Sequence, residues 1–240
     1  MSYLWEQLHG AIPLIAHGDP YVMGLLWVTV RVAIVSTAAA LLVGLPIGLA
    51  LGLGRFRGRR ALQILANASL ALPPVVVGIG VLLLLLPRGA LGSLQIEFSL
   101  TAVYIVQAIL ALPYVVALTP AAIQGLPPGL LAQARALRAS RHQLAALALR
   151  EAKIGVLAAT IAALGATLSE VGAVVIVGGN IQNYDQTLAS AVLQQINDYT
   201  NYRYAMAIGI VLLALVVLLL GALTLLQQRT SGIQLRFRPS

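Results

Sequence analysis

Few residues in this 240-residue chain can do chemistry, and they do not cluster. Acid–base, nucleophilic or metal chemistry needs several titratable side chains converging on one point. His9, His17 and His142 are far apart along the chain. There is no cysteine, which excludes thiol catalysis, Cys-ligated zinc and a disulfide scaffold. No Gly-x-x-x-x-Gly-Lys-Ser/Thr loop occurs, so nucleotide hydrolysis is not expected of this chain. Glu170 is the one acidic residue set well inside an apolar run, after Ser169 and before Gly172. A carboxylate at membrane depth is expensive and is by default a functional candidate. We expect a structural or gating role for it, hydrogen-bonded to a neighbouring helix. Arg31 is a possible partner; the alternative is that Arg31 snorkels to the headgroups beside Trp27.

The elements that hold these residues follow from composition. Hydrophobic residues make up 60% of the chain and charged residues 9%, against about 45–50% and about 25% in soluble domains. Such a chain cannot cover a globular surface with polar groups, so its apolar runs must face lipid. About five runs are long enough to cross a bilayer as helices: residues 22–53, 62–86, 100–123, 154–177 and 204–226. The expected fold is all-α and polytopic, one membrane domain over residues 1–240. No internal repeat and no cleavable signal is apparent, since residues 1–30 hold no Lys or Arg.

The net charge of +8 sets topology rather than binding nucleic acid. Arg55, Arg57, Arg59 and Arg60 fall in the first loop. Arg135, Arg138, Arg141, Arg150 and Lys153 fall in the third, and Arg229, Arg236 and Arg238 in the tail. The other side has Arg88 and Arg203 with Glu6, Asp19, Glu97, Asp185 and Asp198. The positive-inside rule puts the arginine-rich side in the cytoplasm, the N-terminus outside and the C-terminus inside. On that outer side, residues 188–196 can form a short helix in the loop from 179 to 202.

The third loop, residues 124–153, carries the most information. From Pro127 to Lys153 it reads as a basic helix rich in Ala and Leu, with Pro at its start where helices accept it. A helix lying on the membrane surface and a docking helix for a partner both fit.

The stretch Ala132-Gln133-Ala134-Arg135-Ala136-Leu137-Arg138-Ala139-Ser140 resembles the cytoplasmic coupling motif of binding-protein-dependent (type I) ABC-importer permeases. Ala134, Leu137, Ala139 and Ser140 fit; Ala132 stands where that family has Glu, and Arg138 where it has Gly. Gly44-Leu45-Pro46-Ile47-Gly48, Leu72-Pro73-Pro74, Leu112-Pro113-Tyr114 and Leu126-Pro127-Pro128 follow in the family's order and spacing. Singly, each is only the Pro and Gly common in membrane helices. Ser169-Glu170-Val171-Gly172-Ala173 with Val177-Gly178-Gly179-Asn180-Ile181 resembles the oxyanion permeases, tungstate members above all, with molybdate members next. Gln186-Thr187-Leu188 resembles a family Arg-Thr-Leu with Gln in place of Arg.

The resemblance implies an ABC-importer membrane subunit that carries an oxyanion, most simply tungstate, into a bacterial or archaeal cell. It implies a homodimer, separate ABC ATPase subunits holding ATP and Mg, and an extracytoplasmic substrate-binding protein, with no cofactor on this chain. ATPase coupling is then assigned to Ala132, Ala134, Leu137, Arg138, Ala139 and Ser140. The path or gate is assigned to Pro73, Pro74, Ser169, Glu170 and Gly172. Tungstate is an anion, so Glu170 is a poor ligand for it. A secondary transporter would show repeats and matched broken helices, and a membrane enzyme would show clustered His, Asp or Glu.

Overall fold

The structure, a computed structural model, describes residues 2–236; Arg238, placed above in the basic tail, lies outside the described residues. The helices are α1 (Ser2–Ala16), α2 (Pro20–Leu53), α3 (Arg59–Ser69), α4 (Pro74–Leu85), α5 (Leu100–Gln124), α6 (Leu130–Ala136), α7 (Arg141–Glu151), α8 (Lys153–Ser169), α9 (Gly172–Gly178), α10 (Leu188–Asn197) and α11 (Tyr202–Arg236). No strand occurs among the described residues. Three helices (α2, α5 and α11) are long and apolar enough to cross a membrane, and up to five spans result if each bent pair counts as one. Leu42, Leu213 and Leu218 are 78%, 64% and 70% exposed, the lipid-facing surface that the hydropathy requires.

α5 lies between α2 and α8. Its seam with α2 is set by glycines four residues apart. A Cβ on Gly44, Gly48 or Gly52 would stand 2.8, 2.7 or 2.6 Å from Val115, Thr119 or Ile123. The i, i+4 rows of the two helices interlock there, and the missing side chains bring the backbones together. Ser36 adds a hydroxyl bond to the Tyr104 carbonyl at 3.1 Å.

Two expected spans are broken. Residues 62–86 are not one helix: α3 and α4 meet at 103°. The cause is Pro73-Pro74. Proline has no N–H and disfavours helix in the residue before it, and Pro73 is extended at ψ 120° while Pro74 opens α4. Residues 154–177 are likewise interrupted after Ser169, with Glu170 extended at φ −78°, ψ 131°. The loop helix expected from Pro127 to Lys153 is also divided. α6 ends, Arg138 turns left-handed at φ 60°, and Ser140 caps α7 in a capping box with Gln143.

On the face opposite the arginines, α10 covers the expected 188–196 helix. Val22, Leu25, Leu188, Ala191 and Ile208 join α2, α10 and α11 in a buried cluster. α1 packs on α11 through the edge-to-face rings of Tyr3 and Tyr202.

Candidate functional site

The two helix breaks face each other. Leu70, Pro73 and Pro74 from the first and Ser169 and Glu170 from the second line one cleft of 310 Å³, closed on its third side by Pro113 and Tyr114 of α5. Ser169 is exposed toward it and turns its hydroxyl back to the Gly165 carbonyl at 2.9 Å. Gly172 sits where α9 meets α4: a Cβ there would lie 2.6 Å from Val75. Gly78 of α4 makes the reciprocal approach, 2.8 Å from the Cα of Ala173. Pro73, Pro74, Ser169, Glu170 and Gly172, distant in sequence, are therefore brought together.

Glu170 is half-buried, and its Oε1 accepts from the Ala173 backbone N–H at 2.9 Å. The carboxylate thus caps α9. Free N–H groups and the positive end of the helix dipole favour a negative group there, which offsets part of the cost of a charge at membrane depth. The expected bond to a neighbouring helix is absent from this geometry; the partner is the backbone of the next half-helix. Arg31 is not beside Glu170 either. Its guanidinium stands over the Tyr104 ring, 5.9 Å from the centroid, a cation–π contact.

On the arginine-rich face, α6 and α7 form a bent loop whose tip is Leu137, 84% exposed. Ala139 donates to the Ala134 carbonyl at 3.0 Å, which closes the turn under that tip. Ala132, Arg138 and Ser140 are exposed, and Ala134 and Ala139 are half-buried. Arg138 occupies the left-handed region that glycine enters freely. The position where the resembled family has Gly therefore keeps the backbone that Gly suits. α7 runs through Ala152 into α8 with a 72° bend, so the loop and the Glu170 break lie at opposite ends of one helix.

The third feature was missed by sequence reasoning. Asp185, placed by charge on the outer side, is fully buried. Its Oδ1 accepts from the Ile181 N–H, and Oδ2 has no hydrogen-bond partner. Burial pushes its carboxyl up from 3.8 to about 6, against a lowering by the Ile181 bond. Gln186, which stands in for the family Arg, accepts from the Tyr21 hydroxyl at 2.8 Å and donates to Gln194. Leu188 N–H donates to Thr29 Oγ1 at 2.8 Å. These bonds lock the loop from 179 to 187 onto α2.

Residues 44–232 match the family described as binding-protein-dependent transport system inner membrane component. The chain belongs to this family. This binding-protein-dependent transport component is also similar to the tungstate uptake system permease protein TupB of Peptoclostridium acidaminophilum, 30% identical over 213 residues, covering 89% of this chain and 93% of that one. A probable anion ABC transporter permease protein of Haloferax volcanii is 36% identical over 212 residues, covering 85% and 91%. The solved MetNI methionine ABC transporter in an inward-facing conformation shares the fold, with a TM-score of 0.66, 20% identity and 88% and 96% coverage. The chain is thus an ABC-importer permease, a membrane component.

Proposed function

We propose that this chain is the homodimeric membrane subunit of an ATP-driven oxyanion importer, with tungstate its first substrate and molybdate the alternative. The observation that supports this most is similarity over nearly the whole chain to a tungstate permease and an anion permease. It coincides with a cleft built at two facing helix breaks.

The division of labour follows from position. The exposed Leu137 tip, with Ala132, Ala134, Arg138, Ala139 and Ser140 around it, docks in a groove of a separate cytoplasmic ATPase, which holds ATP and Mg. Helix-in-groove recognition needs small and apolar side chains of this kind. α8 carries displacement of the loop to its other end. Seventeen residues at 1.5 Å each make a lever of about 25 Å. There Glu170 is the pin that holds α9 in line, and Pro73, Pro74 and Gly172 allow the facing elements to slide. Glu170 gates the path and does not bind the anion, which a carboxylate repels. A binding protein delivers the anion at the face carrying α1 and α10, so that face is outside and the arginine-rich face cytoplasmic.

Single cysteines on this cysteine-free chain test the orientation. Arg57→Cys and Arg141→Cys are expected to resist an impermeant thiol reagent added outside, and Gln182→Cys to react. Labelling at 141 from outside overturns the assignment. Titration of the co-purifying binding protein with tungstate, molybdate and sulfate tests the substrate. Preference for a cation or neutral solute contradicts the oxyanion reading.

A further inference from the structure

The arginines of the basic face do two different jobs. Arg59 donates from Nε to the Leu51 carbonyl at 2.6 Å and from Nη2 to the Gly52 carbonyl at 3.3 Å. It closes the C-terminal end of α2, where unpaired carbonyls and the helix dipole favour a cation. Arg135 reaches the Leu53 carbonyl at 3.5 Å. Arg55 and Arg141 are exposed and line a groove of 640 Å³ between the end of α2 and the start of α7.

The floor of that groove is apolar. Leu49, Leu53 and Leu144 line it, and Leu49 and Leu53 rest on the buried cluster of Ile123, Ala148 and Ala152. Above it on α2, Val43, Ile47 and Ala50 lie at helical spacing and are exposed, so an apolar stripe leads from the lipid-facing surface into the groove. Phe56, 46% exposed, separates it from a second basic hollow lined by Arg55, Arg57 and Arg60.

We infer that this groove seats an anionic phospholipid of the leaflet on the arginine-rich face, its phosphate between Arg55 and Arg141 and its acyl chain along Leu53 and Leu144. A soluble anion would need the guanidinium groups but no apolar floor continuous with the lipid surface. The ATPase contact proposed above is centred on the exposed Leu137 tip, which does not line this groove, while Arg135, Arg141 and Leu144 of the same loop do. A cationic rim over an apolar floor matches a ligand that is anionic at one end and apolar at the other.

The test titrates dioleoylphosphatidylglycerol and dioleoylphosphatidylcholine into the delipidated permease in detergent, with bound lipid counted by native mass spectrometry. Each arginine near an anionic lipid surface is worth about fivefold in binding. Arg55→Gln/Arg141→Gln is therefore expected to weaken phosphatidylglycerol binding about twenty-five-fold and to leave phosphatidylcholine unchanged. Arg55→Lys/Arg141→Lys keeps most of the binding, and it carries the test if the glutamine pair does not fold. Arg229→Gln removes the same kind of charge from an exposed position on α11 and is expected to have no effect. An equal loss in Arg229→Gln, unchanged binding in the glutamine pair, or full displacement of the lipid from the wild type by inorganic phosphate or tungstate overturns the inference.

Discussion

The carboxylate of Glu170 accepts a hydrogen bond from the backbone N–H of Ala173 at 2.9 Å, and that bond spans the break between α8 and α9. It explains how an acidic residue stands at membrane depth without a cation beside it. Glu170→Gln keeps an acceptor oxygen and loses only the charge–dipole part. Glu170→Ala leaves the N–H unpaired, at a cost of about 1 kcal/mol. Thermal unfolding in detergent is expected to rank the midpoints wild type, Gln, Ala. Uptake should fall further in Ala than in Gln. Equal midpoints and uptake in all three remove the pin from the mechanism.

The α6–α7 loop makes a prediction that separates docking from folding. Ala139→Glu puts a bulky charge under the Leu137 tip, outside every span, and is expected to abolish co-purification of the ATPase while membrane insertion persists. Arg138→Gly relieves the left-handed strain at φ 60°, worth about 1 kcal/mol, and should preserve or strengthen ATPase recovery. Arg138→Val should weaken it. Full ATPase recovery by Ala139→Glu would leave the loop resting on lipid as the better description.

The α2–α5 seam is expected to tolerate nothing larger than glycine at its centre. A Cβ on Gly48 meets Thr119 at 2.7 Å, so Gly48→Leu overpacks the seam by about 1–3 kcal/mol. Gly80, with nothing within 4 Å of an added Cβ, serves as the control. Gly80→Ala should express normally and Gly48→Leu poorly; equal expression and midpoints would contradict the close approach.

Asp185 gives the outer loop a pH dependence of defined sign. Its folded-state value, about 6, lies above the ordinary 3.8. Between those values the folded chain holds more protons than the unfolded one, so stability falls as pH rises through that window. Above pH 6 the contribution levels off. Asp185→Asn keeps the acceptor for the Ile181 N–H and removes the ionisation. Midpoints measured from pH 4 to 7 should decline in the wild type and flatten in the variant; an unchanged slope assigns the decline to other groups.

Hydropathy alone located the membrane helices, because twenty or more consecutive apolar residues have no other soluble use. The breaks were less legible. Pro73-Pro74 announced its own, yet an apolar run continues on both sides and read as one span. Nothing in Ser169-Glu170-Val171 breaks a helix by propensity. That break coincides with the close approach of Gly172 to Val75, a tertiary fact. The Ser140-x-x-Gln143 capping box was present in the sequence, but the arginine at 138 hid a left-handed turn that glycine would have signalled. The charge asymmetry places Asp185 on the outer side and carries no sign of its burial. Its carboxyl lies against the end of α9, where a Cβ on Gly178 would stand 2.9 Å from its Oδ2.

The most direct measurement is accumulation of labelled tungstate in proteoliposomes holding the permease, its ATPase and its binding protein, with ATP supplied on the ATPase side. ATP-dependent uptake that vanishes when the binding protein is omitted, when the ATPase is inactivated, or in Ala139→Glu is the expected result. Uptake that persists without the ATPase, driven by an ion gradient alone, would contradict it.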